Sequence, residues 1–134
     1  MFAIVESDSG YVLGGSTDYT GFNTYGIAKY TMQGQLDPNF GGHGTGTNFI
    51  SVRIAGAGNS QINGITIQPK TGNIIAAGTS NNYFSLAQFL PSGVLDTSFG
   101  NPDTTGGMVD MGGTDPITGC CVDSYDNIIT VSTT

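Results

Sequence analysis

Residues 25–41 and 84–100 repeat one another over seventeen positions without a gap, 59 residues apart. The first stretch reads Y-G-I-A-K-Y-T-M-Q-G-Q-L-D-P-N-F-G and the second F-S-L-A-Q-F-L-P-S-G-V-L-D-T-S-F-G. Gly34, Leu36, Asp37, Phe40 and Gly41 return identically as Gly93, Leu95, Asp96, Phe99 and Gly100, and Tyr25 and Tyr30 return as Phe84 and Phe89. A period of this size limits the fold to architectures in which one unit buries its apolar face only against a neighbouring unit.

A second similarity fills out the period. Gly64-Ile65-Thr66-Ile67 and Gly72-Asn73-Ile74-Ile75 return as Gly119-Cys120-Cys121-Val122 and Asp126-Asn127-Ile128-Ile129, at offsets of 55 and 54. A weaker copy opens the chain and, by its glycine, aligns Ala3 with Ile65 and Gly10 with Gly72 at an offset of 62. The spacing varies where Gly, Asn, Thr and Asp are dense, which is where loops absorb insertions.

Within one period the pattern predicts four extended segments, near 63–68, 73–79, 83–90 and 108–111. Ile65-Thr66-Ile67 alternates, whereas Ile74 to Ala77 is apolar on both faces, as in a strand covered on both sides. Pro69-Lys70-Thr71-Gly72 and Pro91-Ser92-Gly93 supply turns, with Gly34 and Gly93 as the turn glycines. No window sustains a helical period. Four antiparallel strands repeated in tandem describe the blades of a β-propeller. The expected organisation is all-β, with blades at 1–61 and 62–116, the first half of a third at 117–134, and about two and a half blades in all. A β-solenoid is the competing architecture, but its coils repeat at a shorter period.

Composition narrows function. There are 22 glycines in 134 residues, 10% charged residues and a net charge of −7 with Lys29, Arg53 and Lys70 as the cations. Nucleic-acid binding needs a basic face to neutralise phosphate, and three cations cannot build one. No apolar segment approaches the length of a membrane span, so membrane insertion is not expected. Low charge with abundant Gly, Thr, Ser and Asn fits an extracellular, cell-surface or particle-surface setting.

The combination I-x-I-Q-P-x-x-G-x-I-I-x-A-G at 65–78, F-x-L-A-x-F at 84–89 and G-x-L-D-x-x-F-G at 93–100 resembles the delta-60 repeat family. That family consists of tandem β-propeller-like repeats in large surface or secreted proteins. The resemblance implies a propeller fold and carries no enzymatic activity with it. The first repeat departs from the pattern, with Glu6-Ser7 in place of Gln68-Pro69 and extra residues around Thr20 to Asn23; the third has Asp123-Ser124 there.

Candidate chemical residues are few. Asp37 and Asp96 each sit two residues before a second oxygen donor, but calcium takes 6–8 oxygens. An Asx-turn that swings Phe40 or Phe99 into the core is the reading preferred for both. His43 lies in a glycine-rich loop with no evident partner to position it as an acid or base. Cys120 is expected on a core-facing position beside Cys121, as two small buried thiols, since a bridge between neighbours violates disulfide spacing. Asp110, Asp115, Asp123 and Asp126 cluster late, as loop acids of an all-β protein. Tyr19, Phe22 and Asn23 form a possible ligand-facing loop that could stack on a sugar.

No catalytic set, metal site or cofactor is expected. The function expected is a non-catalytic structural or interaction module whose partners are neighbouring blades or subunits. The alternative is a glycan- or protein-binding surface module, and an enzyme whose active site lies outside this segment comes third. Two and a half blades do not close a ring of 4 to 8, so the chain is expected to be a fragment or a subunit with its end faces covered by neighbours. Tyr25/Phe84, Ile27/Leu86, Leu36/Leu95 and Phe40/Phe99 are expected to be buried in equivalent pairs.

Overall fold

The computed structural model describes residues 3–19, 21–41, 46–50, 58–100, 106–110, 115 and 117–133, with the side chains of Tyr19, Phe49, Ile50 and Asp110 outside that description. Among the described residues ten strands run in order: β1 (Ala3–Ser7), β2 (Gly10–Tyr19), β3 (Phe22–Thr31), β4 (Thr47–Ile50), β5 (Ser60–Ile67), β6 (Ile74–Ser80), β7 (Tyr83–Phe89), β8 (Met108–Asp110), β9 (Ile117–Val122) and β10 (Ile128–Ser132). They form two four-stranded meanders, β1-β2-β3-β4 and β5-β6-β7-β8, and the pair β9-β10. Every paired neighbour is antiparallel. The fold is all-β, built of four-stranded antiparallel sheets as in partial β-propeller blades.

The sheets stack. β5, the first strand of the second sheet, lies across β1, β2 and β3, and β9 lies in the same way across β5 and β6. Each junction holds one apolar cluster. Val12, Tyr25, Ile27 and Phe40 of the first sheet meet Ile62, Ile65, Ile74, Ala76, Ala87 and Phe89 of the second. Ile75, Ala77 and Leu86, on the other face of that second sheet, meet Ile117, Cys120, Val122 and Ile128. β6 therefore has both faces buried, which is why Ile74 to Ala77 reads as an unbroken apolar run rather than an alternation.

The pairing fixes the equivalences between repeats and corrects one of them. Leu13 opposes Ala28 and Ala76 opposes Ala87, so with β3 and β7 59 residues apart, β2 and β6 are offset by 63. Likewise Ile4 opposes Leu13 and Ile65 opposes Ala76, which offsets β1 from β5 by 61. Ile65 thus corresponds to Ile4, not Ala3, and Gly10 corresponds to Asn73, not Gly72. The cause is the β1–β2 turn: Ser7 pairs directly with Gly10, whereas Gln68 bonds Asn73 across a turn two residues longer. Gly72, at φ +74°, shares its left-handed position with Asp126, at φ +68°.

The four expected buried pairs divide. Tyr25, Ile27, Phe40 and Leu86 are buried, but Phe84, Phe99 and Leu95 are only partly so, and Leu36 is exposed. Phe40 is covered by the turn of the next sheet, where Gly41 N–H donates to Ser92 O at 2.8 Å. Phe99 packs only along the edge of the second cluster. Leu36 bridges Tyr30 on the face of the first sheet that no other sheet covers among the described residues, and so stays in solvent.

Candidate functional site

Among the described residues, the outer faces of the terminal sheets and a cleft between the first two sheets could bind something. The outer face of the first sheet presents Ile4, Tyr11, Leu13, Ala28, Tyr30 and Leu36, the positions that in the second sheet hold Ile65, Ile74, Ala76, Ala87, Phe89 and Leu95. The second set packs on or within the first cluster. The first set is part-buried or exposed. At the other end, Ile129 and Val131 of β10 stand where β6 carries Ile75 and Ala77, and both are exposed.

The cleft lies beside the short β1–β2 turn. It encloses about 280 Å³ between Glu6, Asp8, Ser9 and Lys29 on one side and Ile67 and Pro69 on the other. Lys29 Nζ donates to Ser9 Oγ at 2.8 Å and pairs with Asp37 Oδ2 at 3.5 Å. At the next junction the longer turn closes the equivalent space. Lys70 N–H donates to Asp126 Oδ1 at 3.2 Å, Gln68 Nε2 donates to Asp126 O at 3.2 Å, and Lys70 Nζ sits 5.1 Å from the centre of the Tyr125 ring. The two-residue difference in turn length is what opens the first cleft.

Asp37 and Asp96 occupy matching turns. Asp37 Oδ1 accepts Asn39 N–H at 3.0 Å and Asp96 Oδ1 accepts Ser98 N–H at 3.1 Å, both Asx-turn bonds. Gln88 stands where the first repeat has Lys29 and donates to Asp96 Oδ2 at 2.8 Å. The Ser98 and Gln88 hydrogen bonds hold the Asp96 carboxyl below its usual pKa. Asp123 is lowered in the same way, first by Asn127, while its Oδ1 also accepts the N–H of Tyr125. Gly34 and Gly93 both take positive φ. The carboxylates are thus engaged in turns, and no group of three or more His, Cys, Asp or Glu residues suited to a metal forms among the described residues.

Tyr25 crosses the first junction, and its Oη lies 2.6 Å from Ser85 Oγ and donates to Ser85 O at 3.1 Å. Burial pushes its pKa above the ordinary tyrosine range. Cys120 is part-buried and pushed up to about 11, first by burial, and both cysteines are free thiols. Cys121 corrects the expectation of two buried thiols: it opposes Ile129 on the face of β9-β10 that no sheet covers among the described residues, and it is exposed.

Of the expected ligand-facing loop, Phe22 is exposed and Asn23 N–H donates to Asn59 Oδ1 at 3.0 Å. The Tyr19 side chain, Thr20 and His43 lie outside the described residues. The loop joins β2 to β3, at the end of the strands opposite the β1–β2 turn and its cleft. Sequence reading missed the cleft; it expected the end faces to be covered by neighbours but did not identify which side chains of the first sheet form one of them. The shortened turn was visible as variable spacing, but its register depended on strand pairing.

Stacked four-stranded meanders with a shared repeat register define β-propeller-type repeats. Residues 7–40 and 70–99 match the family model described as a domain of unknown function (DUF5122) beta-propeller, and the two matches end 59 residues apart, at Phe40 and Phe99. No curated protein and no solved structure matches the chain.

Proposed function

We propose that the chain is a non-catalytic segment of the delta-60 repeat type, a structural or interaction module whose end faces are covered by neighbouring blades or subunits. One observation carries this reading. Positions buried at the inner junctions are exposed at the ends yet remain apolar: Ile65 is 7% exposed and Ile4 65%, while Ile75 and Ala77 are 0% exposed and Ile129 and Val131 are 49% and 58%. Strand faces of this kind lose about 25 cal/mol per Å² of apolar area left in water, so covering them drives association. The perturbed titratable groups serve turns and a packed junction, in keeping with a module that has no catalytic task.

The test compares the wild type with Ile4→Glu and Ile129→Glu by sedimentation velocity and by binding of an apolar-surface dye. The reading expects the wild type to associate or to bind dye, and each variant to lose part of that behaviour while keeping its fold. A wild type that stays monomeric to high concentration and binds no dye defeats it.

A further inference from the structure

Tyr25 leaves the first sheet and enters the second over one cross-strand pair, Gly78 and Ser85. A Cβ on Gly78 would fall 1.9 Å from Gln61 O and 2.9 Å from Tyr25 Oη, so glycine there both admits the neighbouring strand's backbone and leaves room for the phenol. The strand register carries this pair back onto Gly15 and Gly26, which oppose one another across β2 and β3 as Gly78 and Ser85 do across β6 and β7. At that point the outer face of the first sheet holds a depression of about 190 Å³, bordered by Leu13, Gly15, Gly26, Ala28, Tyr30 and Thr47.

We infer that this depression is a socket for an aromatic side chain carried on the third strand of a further blade, docked on the first sheet as the first sheet docks on the second. The inference rests on the outer face being a blade-facing surface, as proposed above, and adds what fills it. Two features favour a blade side chain over a free small molecule. The depression sits within a broader apolar sheet face that includes Ile4 and Leu36, and its counterpart in the same chain is filled by Tyr25. Chemistry differs at one point: Gly26 replaces Ser85, so the hydroxyl that meets Tyr25 Oη in the inner socket is missing from the outer one. The outer socket therefore selects the ring more than its hydroxyl.

The probes are p-cresol, the tyrosine side chain as a free molecule, and toluene, titrated into the isotope-labelled protein and followed by NMR. Both should shift the amides of Gly15, Gly26 and Ala28 saturably, with dissociation constants on the order of millimolar, as expected for so few ligand atoms. Gly15→Val places methyl groups in the depression and should weaken both at least ten-fold. Gly26→Ser restores the inner socket's hydroxyl and should tighten p-cresol about three-fold with toluene unchanged. The serine variant carries the test if the valine variant does not fold. Shifts elsewhere, or affinities unmoved by the substitutions, overturn the socket. A micromolar constant would overturn the blade as occupant and point to a free aromatic ligand. Should the probes fail while Ile4→Glu still removes association or dye binding, the socket falls and the covered-face reading stands; failure of both removes both.

Discussion

Ile4, Leu13, Ala28, Tyr30 and Leu36 on the first sheet and Ile65, Ala76, Ala87, Phe89 and Leu95 on the second are one set of positions in two settings. The second set is packed against a preceding sheet; among the described residues the first is not. Strand geometry and residue character are alike, so burial here belongs to the neighbour rather than to the position. That is the behaviour of a quasi-one-dimensional stack, in which stability divides into what a repeat holds alone and what each junction adds.

The sharpest way to break the comparison is to truncate both members of one pair. Ile65→Ala, inside the first junction, is expected to cost about 2–4 kcal/mol, the range for deleting a buried isoleucine side chain. Ile4→Ala should cost less than about 0.5 kcal/mol, as for an exposed substitution. Urea unfolding of both variants measures the difference. Equal costs would mean that the outer face is covered after all, or that the junction contributes little.

A second pair tests the turns. Gly34 and Gly93 both have positive φ, +79° and +82°, but a Cβ on Gly34 meets nothing within 4 Å while one on Gly93 falls 2.6 Å from the Phe40 ring. Gly34→Ala should cost about 1 kcal/mol, for the left-handed backbone alone. Gly93→Ala should cost roughly 2–3 kcal/mol, because the aromatic ring must also move. Thermal unfolding separates the two.

Tyr25 and Phe84 sharpen the comparison at the level of one hydroxyl. Tyr25→Phe removes the donor to Ser85 inside a buried junction and should lose about 1–2 kcal/mol. Phe84→Tyr adds a hydroxyl at a part-buried position and should be nearly neutral. The raised pKa of Tyr25 gives an independent check. Its neutral form is favoured by folding, so this stability is complete below the ordinary tyrosine value, near 10, and declines as pH rises above it. Above that value the stability of the wild type should fall more steeply with pH than that of Tyr25→Phe. An unchanged alkaline limb would remove Tyr25 ionisation from the account.

Much of this was legible in the sequence because the repeat preserves the residues that set local geometry. The turn glycines and the aspartates of G-x-L-D-x-x-F-G fix two hairpin-like turns, and the doubly apolar stretch at Ile74 to Ala77 announces a strand with two covered faces. The register of the first copy was not legible. A glycine match pointed to Gly10 and Gly72, but the β1–β2 turn is two residues shorter, and only backbone pairing reveals which side chains share a face. Which side chains stand exposed at the ends was hidden for a related reason. Leu36 is identical to Leu95 in type and context, and nothing local records whether another sheet lies over it.

The smallest expected effect concerns Asp96 and its counterpart Asp37. Both make the same Asx-turn bond, but Asp96 receives Ser98 and Gln88 while Asp37 faces Lys29. The Ser98 hydrogen bond, and then that of Gln88, lower the Asp96 pKa in the folded state. A depressed carboxyl contributes stability that is present above the unfolded value, near 3.9, and is lost as pH falls through the folded value. Asp96 is part-buried in its turn at the surface, so the contribution is modest and belongs to the acid limb alone. Side-chain NMR titration should find Asp96 with a midpoint below the ordinary carboxylate range, and Ser98→Ala with Gln88→Ala should return it there. An Asp96 midpoint that the double substitution leaves in place would assign the shift to the turn backbone, and the two repeats would then differ at this site in side chains only.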